Sequence, residues 1–175
     1  VDNDVVRIER TQSNLDRLNL KARLQVGDAA NPSSWWDGKP FDRILADVPC
    51  TASGIVRRHV DIKWLRREAD IQSFTKQQAQ ILPALWQCLA KGGKLLYVTC
   101  SVFQEENQRQ IDAFLKTHSD AVQLPLTESI SGLDLKNGQL QPSARHDGLF
   151  YALLQKNSVL FKGAVFIFFA VICLF

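Results

Sequence analysis

Two cysteines of this sequence stand just after apolar runs, a position in which a thiol can act as a nucleophile. Cys50 follows the run at residues 41–46, with Asp47 between them. Cys100 follows the run at residues 94–98. A cysteine that loses its proton becomes a thiolate, which is the nucleophilic form of the side chain. Two thiols, a carboxylate and neighbouring hydroxyls therefore make a candidate reaction site if the fold brings them together.

The two apolar runs are the elements that must position these cysteines. Both are short and lack the alternation of a one-sided sheet, so they predict buried strands. Pro49 has no backbone N–H to donate to a neighbouring strand, so the first strand must end by that residue. Ligands of open α/β sheets bind beyond the carboxyl ends of the strands, and we expect Cys50 and Cys100 at that edge.

Three aspartates follow predicted strands in the same way. They are Asp2, Asp28 and Asp47. A carboxylate after a strand of a doubly wound sheet commonly binds a ribose hydroxyl of a nucleotide cofactor. Aspartate is also a common turn residue, so each position alone is a weak signal. The three together predict a cofactor of the nucleoside type.

Cys100 has two possible roles. A helix is predicted over residues 104–116, and Ser101 with Gln104 has the spacing of a capping box. A helix N-terminus stabilises negative charge, so it would lower the pKa of this thiol. The alternative is a buried structural cysteine, the common fate of a free cysteine and the one expected for Cys88. A dyad of Cys50 with His59 is conceivable, but no group that would orient it is evident.

A basic cluster follows the first cysteine. Trp64 and His59 lie among its members, which are Arg57, Arg58, Lys63, Arg66 and Arg67. Cations interleaved with an aromatic side chain suit contacts to RNA phosphates together with stacking on a base. A solvated helix face is the alternative.

Composition narrows the class of protein. The chain has 175 residues, 46% of them hydrophobic, and a net charge of +3, which suits a single globular domain. The four cysteines have no CxxC spacing and the three histidines are scattered, so we expect no metal site. We expect reduced thiols and a cytoplasmic protein.

The C-terminal end, residues 157–175, is strongly apolar. We expect it to be an extension outside a domain that covers residues 1–156. Its uninterrupted apolar run is shorter than the ~20 residues that a membrane-spanning helix needs, so membrane association is not expected. A tail anchor is the alternative.

The order of predicted elements indicates the fold class. Helices are predicted at residues 5–18, 61–67, 71–90 and 104–116, alternating with strands. Pro83 is expected to kink the third of these helices or to mark an irregular turn in it. A terminal antiparallel pair is predicted at residues 139–141 and 150–154. This pattern is typical of an α/β domain with a mostly parallel sheet.

Two motifs carry a resemblance to a known family. The segments Asp47-Val48-Pro49-Cys50-Thr51-Ala52-Ser53-Gly54 and Thr99-Cys100-Ser101 resemble the paired cysteine motifs of RNA cytosine-C5 methyltransferases. Supporting segments are residues 55–67, Glu105-Glu106-Asn107 and residues 147–152. The resemblance covers residues 1–156 and is nearest to the bacterial members that modify small-subunit ribosomal RNA.

The resemblance implies a Rossmann-like fold, S-adenosylmethionine as the cofactor and a role for each site residue. Cys100 would add to C6 of the target cytosine, and Cys50 would help to release the product. Asp2 and Asp28 would match the ribose-side and adenine-side carboxylates. Asp47 would contact the cofactor or the cytosine edge.

The resemblance also sets an alternative function. The first strand and the glycine-rich cofactor loop of the family would precede Val1, so the sheet is expected to be truncated at its N-terminal strand. The alternative is therefore a non-catalytic piece that retains RNA contacts and does not bind the cofactor.

Overall fold

The computed structural model describes residues 1–126, 135–157 and 169–173, and of the last range only the backbone. Among these residues the helices are α1 Val5–Arg17, α2 Ile62–Leu65, α3 Glu68–Cys88 and α4 Gln108–Thr117. The strands are β1 Phe41–Asp47, β2 Leu89–Thr99, β3 Ala121–Leu124, β4 Leu135–Lys136, β5 Gln139–Leu140, β6 Leu149–Lys156 and β7 Phe169–Cys173. They form one sheet in the order β4-β5-β6-β2-β1-β7, with β3 also paired to β6.

Strands β1 and β2 lie side by side and parallel at the centre of this sheet. Asp47 at the end of β1 is in register with Val98 near the end of β2. Because the strands run in the same direction, their carboxyl ends reach the same edge. Their inward side chains are buried, as in Ile44 and Tyr97 at 2% and 0% exposure.

The strand directions differ from the prediction. The α/β class is confirmed, but the prediction of a mostly parallel sheet is wrong for the described residues. Strand β6 is antiparallel to β2, β3 and β5, and β4 is antiparallel to β5, whereas β1 is parallel to both of its neighbours. The short β4–β5 and β5–β6 connections favour antiparallel neighbours, because a parallel pair requires a long crossover, whereas the β2–β6 and β3–β6 pairs are not set by connection length.

Helix α3 covers one face of the sheet with a stripe of buried side chains. Ile81, Leu82 and Leu85 recur at helical spacing and are at most 4% exposed. Trp86 packs edge-on against Phe114 of α4, with 5.3 Å between the ring centroids. Pro83 lies inside α3, which is helical on both sides of it, so the predicted irregular turn is absent.

Helix α1 is held at its start and exposed along its length. The Asp4 side chain accepts a hydrogen bond of 2.8 Å from the Val6 N–H, which caps the helix. The helix has no buried residue, and Leu18 just beyond it is 53% exposed. The strand that was predicted between this helix and Asp28 is reduced to a single parallel bridge between Asp2 and Val26.

Part of the apolar C-terminal end belongs to a strand. Residues Phe169–Cys173 pair with β1 in parallel, with Cys173 in register with Asp47. The domain boundary at residue 156 stays a prediction, although this pairing joins β7 to the sheet. In the described part of the chain, no helix combines the length and the apolar character needed to cross a membrane.

Candidate active site

The two cysteines meet at the carboxyl edge of the central strands, as predicted. Cys100 directly follows β2, and Cys50 lies three residues beyond β1. Their Sγ atoms are 3.4 Å apart, within hydrogen-bonding distance for sulfur. Both side chains are nearly enclosed, with Cys50 6% and Cys100 1% exposed. The fold therefore creates a close pair of reduced thiols from residues far apart in sequence.

The loop that carries Cys50 is held by its backbone. Val48 N–H donates to the Val98 carbonyl at 3.1 Å, and Gly54 N–H donates to the Cys100 carbonyl at 2.8 Å. Gly148 N–H in turn donates to the Gly54 carbonyl at 2.8 Å. A Cβ atom on Gly54 would lie 2.1 Å from the Gly148 carbonyl oxygen, so only glycine fits there.

A buried carboxylate joins the two cysteine-bearing loops. Glu106 is fully buried and accepts hydrogen bonds from the Thr51 N–H at 2.8 Å and the Thr51 Oγ1 hydroxyl at 2.6 Å. The Ser101 hydroxyl donates to the same carboxylate. Glu106 had no predicted role, although it lies within one of the segments that carry the family resemblance.

Asn107 extends this polar network beneath Cys100. It is fully buried, and its Nδ2 donates to the Ser101 carbonyl at 2.9 Å and to Gln139 Oε1 at 2.7 Å. Its Oδ1 accepts a hydrogen bond from the Thr99 hydroxyl at 2.5 Å. The segment around Cys100 is therefore held on both sides of the thiol.

The predicted helical activation of Cys100 is wrong. Helix α4 begins at Gln108 rather than residue 104, and the Ser101 oxygen accepts a hydrogen bond from the Phe103 N–H at 3.1 Å while its hydroxyl donates to Glu106. The hydrogen bond with Cys50 and burial raise the pKa of Cys100, and electrostatic interaction with Cys50 and Asp47 raises it further. The raised pKa favours the protonated thiol, so Cys100 must lose a proton before it can attack.

Asp47 provides a carboxyl group with unusual properties beside the thiols. Burial raises its pKa from 3.8 to about 7. Its Oδ1 atom is buried without a hydrogen-bond partner among the described residues. A buried polar atom without a partner is costly, so this oxygen is suited to bind a ligand that brings a hydrogen-bond donor.

A cavity of about 340 Å³ lies between Cys50 and Asp28, one of the predicted cofactor carboxylates. Asp28 is exposed and lines it together with Pro49 and Cys50. Other lining residues include Asn3, Arg7, Arg66 and Phe74. The cavity thus places Asp28 near Cys50, and a cofactor role for Asp28 stays a prediction.

Asp2, the second predicted cofactor carboxylate, is engaged within the protein. It is 4% exposed, and its oxygens accept hydrogen bonds from Arg7 Nε at 2.9 and 3.0 Å and from Arg7 Nη2 at 2.8 Å. The Asp4 N–H donates to it as well. This places Arg7 at the cavity wall, and a cofactor role for Asp2 stays a prediction.

No cluster of three potential metal ligands occurs among the described residues.

The predicted RNA-binding cations divide into two groups. Arg57 and Arg58 form ion pairs with Asp147, at 3.5 and 2.5 Å. Arg66 Nε donates to the Thr51 carbonyl at 2.8 Å, and its guanidinium lies 5.3 Å from the Phe74 ring centroid. These three arginines therefore also hold the walls of the site.

The other two cations lie on an open surface. Lys63 and Arg67 are exposed on and next to α2. Trp64 on the same helix is 83% exposed, and Leu65 is 65% exposed. The surface beside the thiol pair thus combines positive charge with a solvent-facing indole.

The sequence matches a known protein family over most of its length. The family model described as 16S rRNA methyltransferase RsmB/F matches residues 1–155. The chain belongs to this family. The match spans every element described above except β7 and the last residue of β6, and it includes both cysteines.

Two curated relatives support the assignment to the RsmB/F family. The chain is 50% identical over 157 residues to the ribosomal RNA small subunit methyltransferase B of Shewanella oneidensis, covering 89% of this chain and 36% of that protein. Its identity to the protein of the same name from Vibrio cholerae is 44%, covering 90% of this chain and 35% of that one. The chain therefore spans about a third of the length of these relatives.

Solved structures give the same fold for this RsmB/F chain. A methyltransferase homologue from Pyrococcus horikoshii superposes with a TM-score of 0.72 and 28% identity, over 89% of this chain and 52% of that one. NSun6 from Pyrococcus horikoshii, crystallised with SFG, superposes with a TM-score of 0.74 and 24% identity, over 89% and 40%. The second likeness concerns the fold alone.

Proposed function

We propose that this chain carries the reaction site of an enzyme that transfers a methyl group from S-adenosylmethionine to C5 of a cytosine in small-subunit ribosomal RNA. The reaction proceeds through a covalent cysteine adduct at C6 of the base. The observation that carries this proposal is the pair of thiols 3.4 Å apart at the shared edge of β1 and β2. Membership in the 16S rRNA methyltransferase family supports the substrate class.

Cys100 is assigned as the nucleophile. Position C5 of a pyrimidine is inert until addition at C6 breaks the aromatic conjugation, and a thiolate is suited to that addition. The raised pKa of Cys100 means that its proton must leave before the attack. Asp47 is assigned as the acceptor of this proton, because it lies close enough to Cys100 to influence its pKa electrostatically.

Cys50 is assigned to product release. After C5 has taken the methyl group, the base carries both the methyl group and a proton at C5 and is still bonded to Cys100. Loss of that proton and departure of the Cys100 thiolate restore the aromatic ring. Cys50 assists removal of the proton, and its position in contact with the Cys100 sulfur supports this role.

Two carboxyl groups near Cys50 and Cys100 fit the cofactor. Asp28 is exposed and lines the cavity, whereas Asp47 is not a lining residue but has a buried Oδ1 without a hydrogen-bond partner among the described residues. Both are acceptors for the amine and hydroxyl donors that S-adenosylmethionine carries. Asp28 would hold its nucleoside portion, Asp2 would act through Arg7 at the cavity wall, and Asp47 would face its amine or the cytosine. When bound, this cofactor supplies an electrophilic methyl group.

The exposed surface on α2 is assigned to RNA. The target base must leave its stack to reach an enclosed thiol, so the protein must hold the strand on both sides of it. Lys63 and Arg67 can neutralise phosphates, and Trp64 offers a ring on which a flanking base can stack. Arg57, Arg58 and Arg66 line the approach to the site.

The two cysteine roles are tested by substitution in a protein that contains this sequence and spans the full length of the curated relatives. With labelled small-subunit RNA, Cys50→Ser is expected to accumulate a covalent protein–RNA complex on denaturing gels, because release stalls. Cys100→Ser is expected to abolish both methyl transfer and the complex. Cys88→Ala serves as the matched control, since Cys88 is a buried free thiol on α3, and it should retain turnover.

The assignment of roles is reversed if Cys100→Ser traps RNA and Cys50→Ser does not. The proposed reaction is refuted if neither variant forms a complex and both retain methyl transfer. If the unsubstituted full-length protein binds small-subunit RNA and transfers no methyl group to it, the alternative of a non-catalytic RNA-contacting protein is favoured instead.

A further inference from the structure

Glu106 stands out because it is an acidic side chain that is fully buried. Burial of a carboxylate is unfavourable unless hydrogen bonds or an opposite charge compensate it. Among the described residues, no lysine or arginine forms a salt bridge with it. Its compensation comes instead from the Thr51 N–H, the Thr51 hydroxyl and the Ser101 hydroxyl.

These hydrogen-bond donors lie directly beside the two cysteines in the sequence. Thr51 is the residue directly after Cys50, and Ser101 is the residue directly after Cys100. Both hydroxyls donate to the same oxygen, Oε2 of Glu106, while Oε1 accepts the Thr51 N–H. The carboxylate therefore ties together the residues that follow the two thiols.

We propose that Glu106 is a positioning residue that sets the spacing between Cys50 and Cys100. The importance of this spacing for turnover rests on the proposed function, whereas the spacing itself does not. A carboxylate suits the position because it only accepts hydrogen bonds and has two oxygens that can each take more than one. Hydrogen bonds to an ionised acceptor are also stronger than bonds between neutral groups.

Other contacts hold this clamp in place. The Tyr97 hydroxyl donates to the Glu106 backbone carbonyl at 2.8 Å, which anchors the carboxylate's own segment to β2. On the opposite side, Arg66 Nε donates to the Thr51 carbonyl and Gln78 Nε2 donates to the Pro49 carbonyl, both at 2.8 Å. Glu106 is thus fixed relative to the sheet and can transmit that position to both loops.

The spacing can be measured without methyl transfer. In the 175-residue chain, with Cys88 and Cys173 replaced by alanine, Cys50 and Cys100 are equilibrated with oxidised and reduced glutathione. Two protein thiols and one oxidised glutathione give one protein disulfide and two reduced glutathione molecules. The equilibrium constant is the effective concentration of one thiol at the other.

Three variants separate positioning from general stability. Glu106→Ala is expected to lower the effective concentration at least about tenfold, because a shift of ~1 Å is enough to disrupt a reacting pair. Glu106→Gln keeps the shape and one acceptor, and the hydroxyls can rotate to accept, so it should stay within about threefold of the parent. Glu105→Gln, at the exposed neighbour that pairs with Arg109, should leave the value unchanged.

Phe114→Leu in the same background controls for loss of stability. It weakens the packing of Phe114 on Trp86 and leaves both cysteine loops intact. It should lower the midpoint of thermal unfolding without changing the effective concentration. Should Glu106→Ala not fold, Thr51→Val, which removes one donor and keeps the shape, is expected to lower the effective concentration by a smaller factor.

The proposal is overturned if Glu106→Ala, or Thr51→Val in its place, keeps the effective concentration of the parent. It is also overturned if Phe114→Leu lowers the value as much as the clamp variants do. In the full-length enzyme, Glu106→Ala should lower kcat more than it raises KM for RNA, and Glu106→Gln should restore much of the loss. A normal thiol result without any methyl transfer by the parent would refute the proposed function and leave the clamp standing.

Discussion

Replacement of Gly54 by alanine tests how tightly the loop of Cys50 is held against its surroundings. Gly54 lies between the Cys100 carbonyl and Gly148 and has backbone hydrogen bonds to both, each 2.8 Å long. An added Cβ atom would lie 2.1 Å from the Gly148 oxygen, 2.7 Å from the Gly148 carbonyl carbon and 2.9 Å from the Cys100 oxygen. All three are backbone atoms, so no side-chain rotation can relieve the overlap.

The cost of Gly54→Ala follows from these contacts. The two segments must separate by roughly 1 Å, which weakens both hydrogen bonds, each contributing about 1 kcal/mol. Overpacking of a close contact costs a further ~1–3 kcal/mol. We therefore expect the free energy of unfolding to fall by about 3–5 kcal/mol, a large part of the ~5–15 kcal/mol typical of a folded domain.

Urea unfolding of the chain, followed by tryptophan fluorescence, measures this loss. Gly38→Ala is the matched control, because a Cβ atom at Gly38 would meet nothing within 4 Å and only its φ of +85° is unfavourable. It should cost about 1–2 kcal/mol. If Gly54→Ala costs no more than Gly38→Ala, the close approach of the two loops is not a source of stability and the reasoning is refuted.

Three further outcomes are expected. Lys63→Gln should reduce the logarithmic salt slope of binding to single-stranded RNA by ~0.7, whereas an unchanged slope would mark Lys63 as a solvated charge. Trp64→Ala should weaken the same binding by about 1–3 kcal/mol with the salt slope unchanged, as loss of one stacked base requires, and unaltered affinity would exclude the stacking role. Burial raises the pKa of Asp47 from 3.8 to about 7, so the folded chain holds a proton that the unfolded chain has lost. The free energy of unfolding should therefore decline as pH rises from about 4 to about 7 and level off above, and Asp47→Asn should remove this decline in urea titrations at several pH values.

Local pattern was enough to locate the reactive residues. The runs at residues 41–46 and 94–98 both lie in strands. Strand β1 matches the first run to within one residue, whereas β2 already begins at Leu89, before the second run. A strand places whatever follows it at the edge of the sheet, so Cys50 and Cys100 could be predicted at one edge from sequence alone. Helix α3 could also be predicted from the sequence, since its apolar residues recur at helical spacing over several turns.

Local pattern failed where a competing contact decided the outcome. Ser101 and Gln104 have capping-box spacing, but the Ser101 oxygen accepts the Phe103 N–H, its hydroxyl donates to Glu106, and the helix starts only at Gln108. The predicted thiolate at a helix N-terminus is lost for the same reason. The predicted strand direction was wrong because an apolar run has the same sequence pattern in a parallel and in an antiparallel strand. The antiparallel partners of β6 are set by how the chain packs in the folded domain.

The sequence by itself determined which side chains could do chemistry, because residue type and position after a strand are local properties. Only the tertiary structure decided how those side chains behave. The 3.4 Å contact between the thiols and the hydrogen bonds of the Glu106 clamp both join segments that are distant along the chain. The burial of the Asp47 oxygen, which has no hydrogen-bond partner among the described residues, likewise depends on the folded chain around it. The pKa of a thiol or a carboxyl group depends on burial and on neighbouring charge, and both exist only once the chain has folded around it.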